Sequence, residues 1–322
     1  MFMDIFRSMI RLMTRILGNS MVKTSVLVCL LFGYVRAEAE KLKVVTTTTM
    51  IYDAVKQIGA NRIQVEGLMG VGVDPHLYKP AASDVIKLTK ADIVFYNGLA
   101  LEGKMADLFS RLYNQGKPVY AVTEKISKAK LLKPEGVQGH WDPHVWGDPD
   151  LWIECVSLMA ESLMKADPQG KTAYLQAAQT YTKKLSDLKA WGISNAHKIP
   201  EEKRFLITSH DAFNYFGKAF GFEVIGVQGI STVTEAPLAD LIHVVDFIKS
   251  NKIPAIFVES SVSPTTIKRI SQDSGAKIGG ELFSDALGTK GVIESFDALD
   301  FDLGTYEGWV AHNIATITSA LR

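Results

Sequence analysis

Hydrophobic and polar positions along residues 42–122 alternate between two spacings, which predicts strands and helices in turn. The predicted strands are Leu42–Thr49, Arg62–Leu68, Ile93–Tyr96 and Pro118–Val122, and the predicted helices are Ile51–Ile58, Ala82–Leu88 and Leu101–Asn114. Such alternation is typical of βαβ units that build a largely parallel sheet.

The second half of the chain repeats this alternation. The predicted strands are Phe205–Ser209, Glu223–Val227, Ala255–Val258 and Lys277–Gly279, and the predicted helices are Ala212–Phe220, Pro237–Asn251, Pro264–Ser274 and Gly308–Leu321. We therefore predict an α/β fold with two lobes, each built on a mostly parallel sheet.

One apolar stripe connects the two halves. Its residues recur at steps of three or four: Tyr174, Ala178, Tyr181, Leu185, Leu188 and Trp191. Asp167 and Pro168 suit a helix start, so we predict a continuous, rigid helix of about 30 residues, roughly 45 Å long. The expected organisation is an N-terminal lobe at 40–166, a linking helix at 167–198 and a C-terminal lobe at 199–322. An ordinary core helix within one large domain is the alternative that this length disfavours.

The N-terminus has the three parts of a secretory signal peptide. Lys23 precedes the apolar run Ser25–Val35, and the small-x-small pattern Ala37-Glu38-Ala39 follows it. We predict a cleaved signal at residues 1–39, with Met21 as an alternative start, and a periplasmic mature protein. Val28 before Cys29 is larger than lipoprotein processing requires, so we do not expect a lipid anchor. Cys155 then remains alone, and we expect it to be a buried apolar residue.

The charge balance argues against a nucleic-acid partner. The full chain has 35 Lys+Arg and 35 Asp+Glu. Removal of residues 1–39 leaves 30 bases and 33 acids, a mildly acidic protein. No excess of basic residues is available to neutralise phosphates. We expect a monomer.

Two copies of an Asp-Pro-His pattern carry the first candidate chemistry. Asp74-Pro75-His76-Leu77-Tyr78 is followed 68 residues later by Asp142-Pro143-His144-Val145-Trp146. Proline restricts its own backbone and that of the preceding residue, so each histidine is held with little freedom. A preorganised imidazole suits a metal ligand, and the aromatic residue behind it is placed to shield the site from water.

His210 and Asp285 extend this set to four. His210 directly follows a predicted strand, and binding groups collect at the carboxyl ends of strands in open α/β sheets. Asp285 lies in a loop past the strand at Lys277. Two candidates therefore come from each lobe. Three imidazoles and one carboxylate form a ligand set that zinc accepts, and manganese also takes these groups.

Other catalytic patterns are weak or absent in the sequence. G-x-S-x-G, H-E-x-x-H, a Walker loop and G-x-G-x-x-G do not occur. We expect Glu259 to bond a ligand histidine at the ring nitrogen that does not face the metal. Glu235 is expected to act similarly or to start a helix. The remaining histidines and three acids are expected to be solvated or capping residues: His140, His197, His243, His312, Asp53, Asp92 and Asp107.

The sequence resembles the zinc/manganese solute-binding proteins of bacterial ABC importers, the TroA-like group. The resemblance runs from Lys43 to the C-terminus and rests on VVTTTTMIYDAV, GLMGVGVDPHLYKPAASDV, ADIVFYNGLALEGKM, WDPHVWGDP, ITSHDAFNYFG and LFSDALG. It implies two α/β lobes joined by one long helix, with the cation in the cleft between them. The ligand positions of the family correspond to His76, His144, His210 and Asp285.

Two departures from family patterns leave the cation open. Many manganese members have Glu where this chain has His210, which favours zinc or a relaxed use of zinc and manganese. Many zinc members carry a His-rich loop between the first two ligands, but Lys125–Gly139 contains no histidine. Zinc and manganese therefore both stay candidates, with iron as a third, and a zinc preference in affinity would not identify the carried ion.

The expected function is that of a receptor without enzymatic activity, which captures one divalent cation and hands it to an ABC permease in the inner membrane. Binding should weaken below about pH 6.5 as protons compete for the imidazoles. Two alternatives are a secreted zinc hydrolase with Glu235 or Glu259 as the base, and an adhesin in which the metal is structural.

Overall fold

The computed structural model describes residues 41–133 and 140–322. The predicted signal peptide at 1–39 lies outside these residues. Within them, the order of strands and helices confirms the α/β prediction. No described helix is long and apolar enough to cross a membrane.

The first lobe contains a four-stranded parallel sheet in the order β2-β1-β3-β4. Its strands are β1 Leu42–Thr46, β2 Ile63–Gly67, β3 Ile93–Tyr96 and β4 Val119–Ala121. Its helices are α1 Thr49–Gly59, α2 Ala82–Lys90, α3 Ala106–Asn114 and α4 Pro149–Ala166. The carboxyl ends of parallel strands meet at one edge, and the loops that follow β1, β2 and β3 gather there. The predicted helix at Leu101 begins later, because Gly103–Met105 forms a 3-10 turn ahead of α3.

The second lobe contains two parallel strand pairs that lie side by side. Strand β5 (Phe205–His210) pairs with β6 (Glu223–Gln228), and β7 (Ala255–Glu259) pairs with β8 (Lys277–Leu282), while β5 lies beside β7. The surrounding helices are α6 Asn214–Phe220, α7 Leu238–Asn251, α8 Thr265–Ser274 and α9 Tyr306–Leu321. His210 and Glu259 are thus the last residues of adjacent strands.

An antiparallel hairpin before α9 was not predicted. Strands β9 (Ile293–Phe296) and β10 (Leu299–Asp302) pair through the two-residue turn Asp297-Ala298. Both turn residues have positive φ, 49° and 61°, as a type I′ turn requires. Alanine at the second position, where glycine is usual, hides this turn in the sequence.

The long helix α5 covers Lys171–Ala196, 26 residues, and a 3-10 turn at Pro168–Gly170 precedes it. The side chain of Asp167 accepts a hydrogen bond from Gly170 N, so Asp167 caps this turn as the sequence suggested. Five of the six predicted stripe residues are buried; Trp191 is half-buried. The helix packs against α1 and α4 on one side and against α6 and α9 on the other. The lobe limits 40–166 and 199–322 stay predictions.

One hydrophobic core runs through both lobes. It contains Val44 and Trp152 from the first lobe, Leu185 from α5, and Phe257 and Trp309 from the second. Smaller clusters fill the far side of each sheet, around Phe109 and around Ile256. The lobes are therefore joined by packed side chains as well as by a helix.

Candidate metal site

The structure brings the four predicted ligands together. His76 lies in the loop between β2 and α2, His144 before α4, His210 at the end of β5, and Asp285 in the loop after β8. One donor atom from each lies within 4.8 Å of the others. The exposed fractions are 5 % for His76, 0 % for His144 and His210, and 1 % for Asp285. Such burial of polar donors needs a partner to offset the lost hydration.

Two of the distances between donor atoms match those around a small tetrahedral cation, and a third, between His144 Nε2 and Asp285 Oδ1, is longer at 3.6 Å. His76 Nε2 lies 3.3 Å from His144 Nε2, and His210 Nε2 lies 3.3 Å from Asp285 Oδ2. Four ligands at zinc bond lengths of about 2.0–2.1 Å are separated by about 3.3 Å. Among the described residues, His210 Nε2 and Asp285 Oδ1 are buried without a hydrogen-bond partner. A bound cation satisfies these atoms, so the residues fit a divalent metal as substrate.

The aspartates of the two Asp-Pro-His segments form matching turns. Asp74 Oδ1 accepts a hydrogen bond from His76 N at 2.8 Å, and Asp142 Oδ1 accepts one from His144 N at 2.9 Å. These bonds from the i+2 backbone define Asx turns. Sequence reasoning credited only the proline with fixing each histidine. The signal for the turns was present, because an aspartate stands two residues before each histidine.

Carboxylates behind two of the rings fix their orientation. His144 Nδ1 lies 2.8 Å from Asp142 Oδ1, and His210 Nδ1 lies 2.7 Å from Glu259 Oε2. Glu259 Oε1 also accepts a hydrogen bond from His210 N at 2.9 Å. His144 Nδ1 forms a hydrogen bond with Asp142, whereas His210 Nδ1 and Glu259 Oε2 lie at ion-pair distance without hydrogen-bond geometry. A carboxylate beside Nδ1 favours the tautomer in which the Nε2 lone pair is free for a cation. Glu259 acts behind His210 as expected, whereas this role of Asp142 was missed.

Burial and charge set the protonation of the metal-free site. Burial lowers the pKa of His76 to about 3, although the Asp285 carboxylate opposes this shift. Burial would also lower the pKa of His210, but Glu259 and Asp285 outweigh it and raise that pKa well above its usual value. Burial would raise the pKa of Asp285, yet His210 above all holds it well below its usual value. The site thus contains a neutral His76 beside an ionised Asp285 and a protonated His210.

Two tryptophans position the loop that carries Asp285. Trp146 Nε1 and Trp309 Nε1 both donate to Ser284 O, at 3.1 and 3.2 Å. The ring of Trp146 also lies edge-on to that of His144, with centroids 5.2 Å apart. Ser261 Oγ lies 3.3 Å from Asp285 Oδ2. Trp146 therefore joins the His144 loop to the Asp285 loop. From the sequence we expected this residue only to shield the site from water.

The remaining histidines lie outside the four-residue cluster. His140, His197 and His243 are exposed, and His312 bonds Glu294 and stacks on Phe283. Glu235 is also exposed. Cys155 is fully buried, and burial raises the pKa of its thiol, as expected of an inert core residue.

Comparisons with known proteins agree on one family. The sequence model described as "Zinc-uptake complex component A periplasmic" (ZnuA) matches residues 44–320. The manganese-binding lipoprotein MntA of Bacillus subtilis is 44% identical over 88% of this chain and 90% of its own. The zinc-binding protein TroA of Treponema pallidum is 44% identical over 90% of this chain and 92% of its own. The solved structure of that TroA superposes with a TM-score of 0.82 over 87% of this chain and 99% of its own.

Proposed function

The chain belongs to the ZnuA family of periplasmic zinc-uptake components, and from this premise we propose that it is the exported receptor of an ABC importer for a divalent metal. It captures one cation between its two lobes, on His76, His144, His210 and Asp285, and delivers it to an ABC permease. Relatives named for zinc and for manganese both match over most of the chain, which supports this assignment to metal import.

The observation that carries the proposal is the closed, buried donor set. Three imidazoles and one carboxylate fill the four positions of a tetrahedral ion. A hydrolytic zinc site keeps a position open for an activated water. Of the two acids that the hydrolase alternative offered as a base, Glu259 lies against His210 and Glu235 is exposed outside the donor cluster. Four protein donors serve retention of a cation rather than chemistry on a substrate.

We propose zinc as the more tightly bound cation. The 3.3 Å separations suit short, tetrahedral bonds, and zinc stands above manganese in intrinsic affinity for such groups. The carried ion also depends on availability in the host. Metal analysis of protein purified from its native source identifies the ion that is carried. Competition between zinc, manganese and iron in vitro identifies the ion that is bound most tightly.

Calorimetry of the metal-free protein tests the ligand assignment. His144→Ala should weaken zinc binding by more than about 100-fold, the upper range for loss of an outer partner of a ligand. The matched control is His243→Ala, since His243 is exposed on α7 and should leave affinity unchanged. Equal effects of the two substitutions would refute the assignment. A metal-free form that stays folded would separate a receptor from a protein in which the metal is structural.

We further propose that the mature protein begins after Ala39 and works as a monomer in the periplasm. The small-x-small pattern Ala37-Glu38-Ala39 after the apolar run supports cleavage there. Several relatives are named lipoproteins, so the competing outcome is acylation at Cys29. The intact mass of protein from its native membrane fraction and soluble fraction distinguishes the two. Light scattering after size exclusion tests the monomer.

A further inference from the structure

A cavity of about 350 Å³ lies in the cleft beside the metal ligands. Both lobes line it, with Leu99, Ala100 and Pro143 on one side and Gly229 and Ser231 on the other. Of the four ligands, His76 alone lines this cavity, and it keeps 5 % exposure where the others have at most 1 %. The site therefore meets open space at His76.

Another side of the seam between the lobes, formed by residues that do not line the cavity, is closed by hydrogen bonds. Thr49 Oγ1 accepts one from Leu287 N at 2.8 Å, and Asp53 Oδ2 accepts one from Tyr306 N at 3.0 Å. Trp146 completes this side through its bond to Ser284 O. The hydrophobic core continues behind these bonds. A cation that left on this side would have to disrupt packed, bonded structure.

The wall of the cavity in the first lobe has an unusual backbone. Gly98, Leu99 and Ala100 have consecutive positive φ values of 87°, 53° and 66°. Left-handed backbone is unfavourable for residues with a Cβ, such as Leu99 and Ala100. Such a conformation persists only where the surroundings enforce it, and it concentrates at functional sites.

The buried carboxylate of Glu102 enforces this turn. Glu102 Oε1 accepts a hydrogen bond from Asn97 N at 2.7 Å, and Oε2 accepts one from Gly98 N at 3.3 Å. Asn97 Nδ2 in turn donates to Pro143 O at 3.0 Å, the residue before His144. The wall is thus held by a fully buried acid and tied to a ligand loop. This wall of the cavity is therefore fixed relative to the loop that carries His144.

We propose that this cavity is the route by which the cation enters and leaves the site, and that the left-handed turn Gly98–Ala100 sets its width. The inference rests on the proposed function, since it concerns exchange of the cation at that site. The cation passes Ala100 and Leu99 and meets His76 first. The lobes need not separate for exchange.

Substitutions in the wall should change the rates of zinc association and release without changing the dissociation constant. Ala100 is exposed at the cavity, so Ala100→Phe should slow zinc association and zinc release to a chelator by the same factor, about tenfold, or about 1.4 kcal/mol on each barrier. Leu99→Ala removes part of the wall and should accelerate both rates. The dissociation constant should stay at the wild-type value, because neither side chain is a ligand. Ala173→Phe, at an exposed position on α5, is the matched control.

Stopped-flow measurement of both rates, with calorimetry for the dissociation constant, decides the inference. Unchanged rates in Ala100→Phe would overturn it and would indicate exchange by separation of the lobes. A changed dissociation constant with an unchanged association rate would also overturn it, because the wall would then act on the bound state. Failure of the wild-type protein to bind zinc would instead refute the proposed function.

Discussion

The three histidines that we propose as ligands differ in what contacts their rings. His144 and His210 each have a carboxylate within 2.8 Å of Nδ1. Asp74 accepts a hydrogen bond from the backbone N of His76 rather than from its ring, within the part of the chain that the structure describes. The other oxygen of Asp74 accepts a hydrogen bond from Thr232 Oγ1 at 2.5 Å. His76 is therefore the least restrained ring, and it is the one beside the open cavity.

Substitution of Glu259 tests how much a carboxylate beside the Nδ1 atom of His210 contributes to zinc affinity. Glu259→Gln keeps a hydrogen-bond acceptor but loses the charge that orients His210 and increases its basicity. We expect zinc affinity to fall by about 10–100-fold in calorimetry. Glu294→Gln is the matched control, because Glu294 also contacts a histidine, at 2.8 Å from His312 Nδ1, but not a metal ligand. Equal affinities for the two variants would contradict the role of Glu259.

Zinc binding should release a proton at neutral pH. The pKa of His210 is raised well above its usual value, so the metal-free site holds this proton, and the cation must displace it. Affinity should therefore fall with decreasing pH from the raised pKa downwards, already above the pH of about 6.5 expected for an unperturbed histidine. His76, with a pKa of about 3, adds no proton near neutrality. Calorimetry in buffers of different ionisation enthalpy should show about one proton released per zinc at pH 7; zero would contradict this protonation state.

At the level of single residues, local pattern singled out the four residues that the structure brings together more readily than the residues that support them. The Asp-Pro-His segments and the strand-end His210 were recognisable because proline and strand position act locally. Asp53 was expected to cap or be solvated, yet it is buried and bonds Tyr306 N, which is 253 positions away in sequence. Glu102 gave no signal, because its partners depend on a backbone turn that the sequence does not announce.

Among the helices, Asp53 joins three elements at one point. It lies on α1, accepts the hydrogen bond of Tyr306 N at the start of α9, and lies 3.4 Å from Tyr181 Oη of α5. Asp53→Ala leaves a buried N–H without a partner, so we expect a loss of about 1–3 kcal/mol in the free energy of unfolding, measured with urea. Asp107→Ala, an exposed acid on α3, should change it by less than about 0.5 kcal/mol. Equal losses would show that the buried bond contributes nothing.

Contact between α5 and α6 depends on the absence of a side chain at Gly192. A Cβ there would lie 2.5 Å from Phe220 Cε1, and the Phe220 ring is buried. Replacing glycine by alanine within a helix normally stabilises it by roughly 0.5–1 kcal/mol. We expect Gly192→Ala to destabilise the protein instead, by about 1–3 kcal/mol, because overpacking dominates. Ser194→Ala, exposed on the same helix, is the control in urea unfolding; a more stable Gly192→Ala would refute the clash.

Element types were predictable where hydrophobic periodicity was long, as in α5 and α9. The β9–β10 hairpin was missed because its turn uses Asp297-Ala298 in place of a glycine-containing pair. The delayed start of α3 follows from the 3-10 turn at Gly103–Met105, which uses residues that would otherwise extend the helix. Periodicity reports burial along one element, whereas both differences arise from local backbone turns that periodicity does not detect.

For the whole molecule, the continuous core limits relative motion of the lobes. Helix α5 packs against helices of both lobes, and α9 of the second lobe also contacts α1 of the first. Buried side chains from both lobes belong to one cluster. A wide hinge would expose apolar surface at about 25 cal/mol per Å². Flexible linkage, by contrast, would show few buried contacts between lobes.

Distances between the lobes should therefore change little when zinc binds. Spin labels on Lys90→Cys and Lys249→Cys, exposed positions in different lobes, report this separation by pulsed electron resonance. Cys155 is fully buried with a raised thiol pKa, so it should not take up label. We expect the mean distance to stay within the width of the metal-free distribution. A control pair of labels at Lys90 and Arg111, both within the first lobe, gives the change in distance that arises from local effects alone. A shift well beyond that of the control pair would show that the lobes close around the cation despite their shared core.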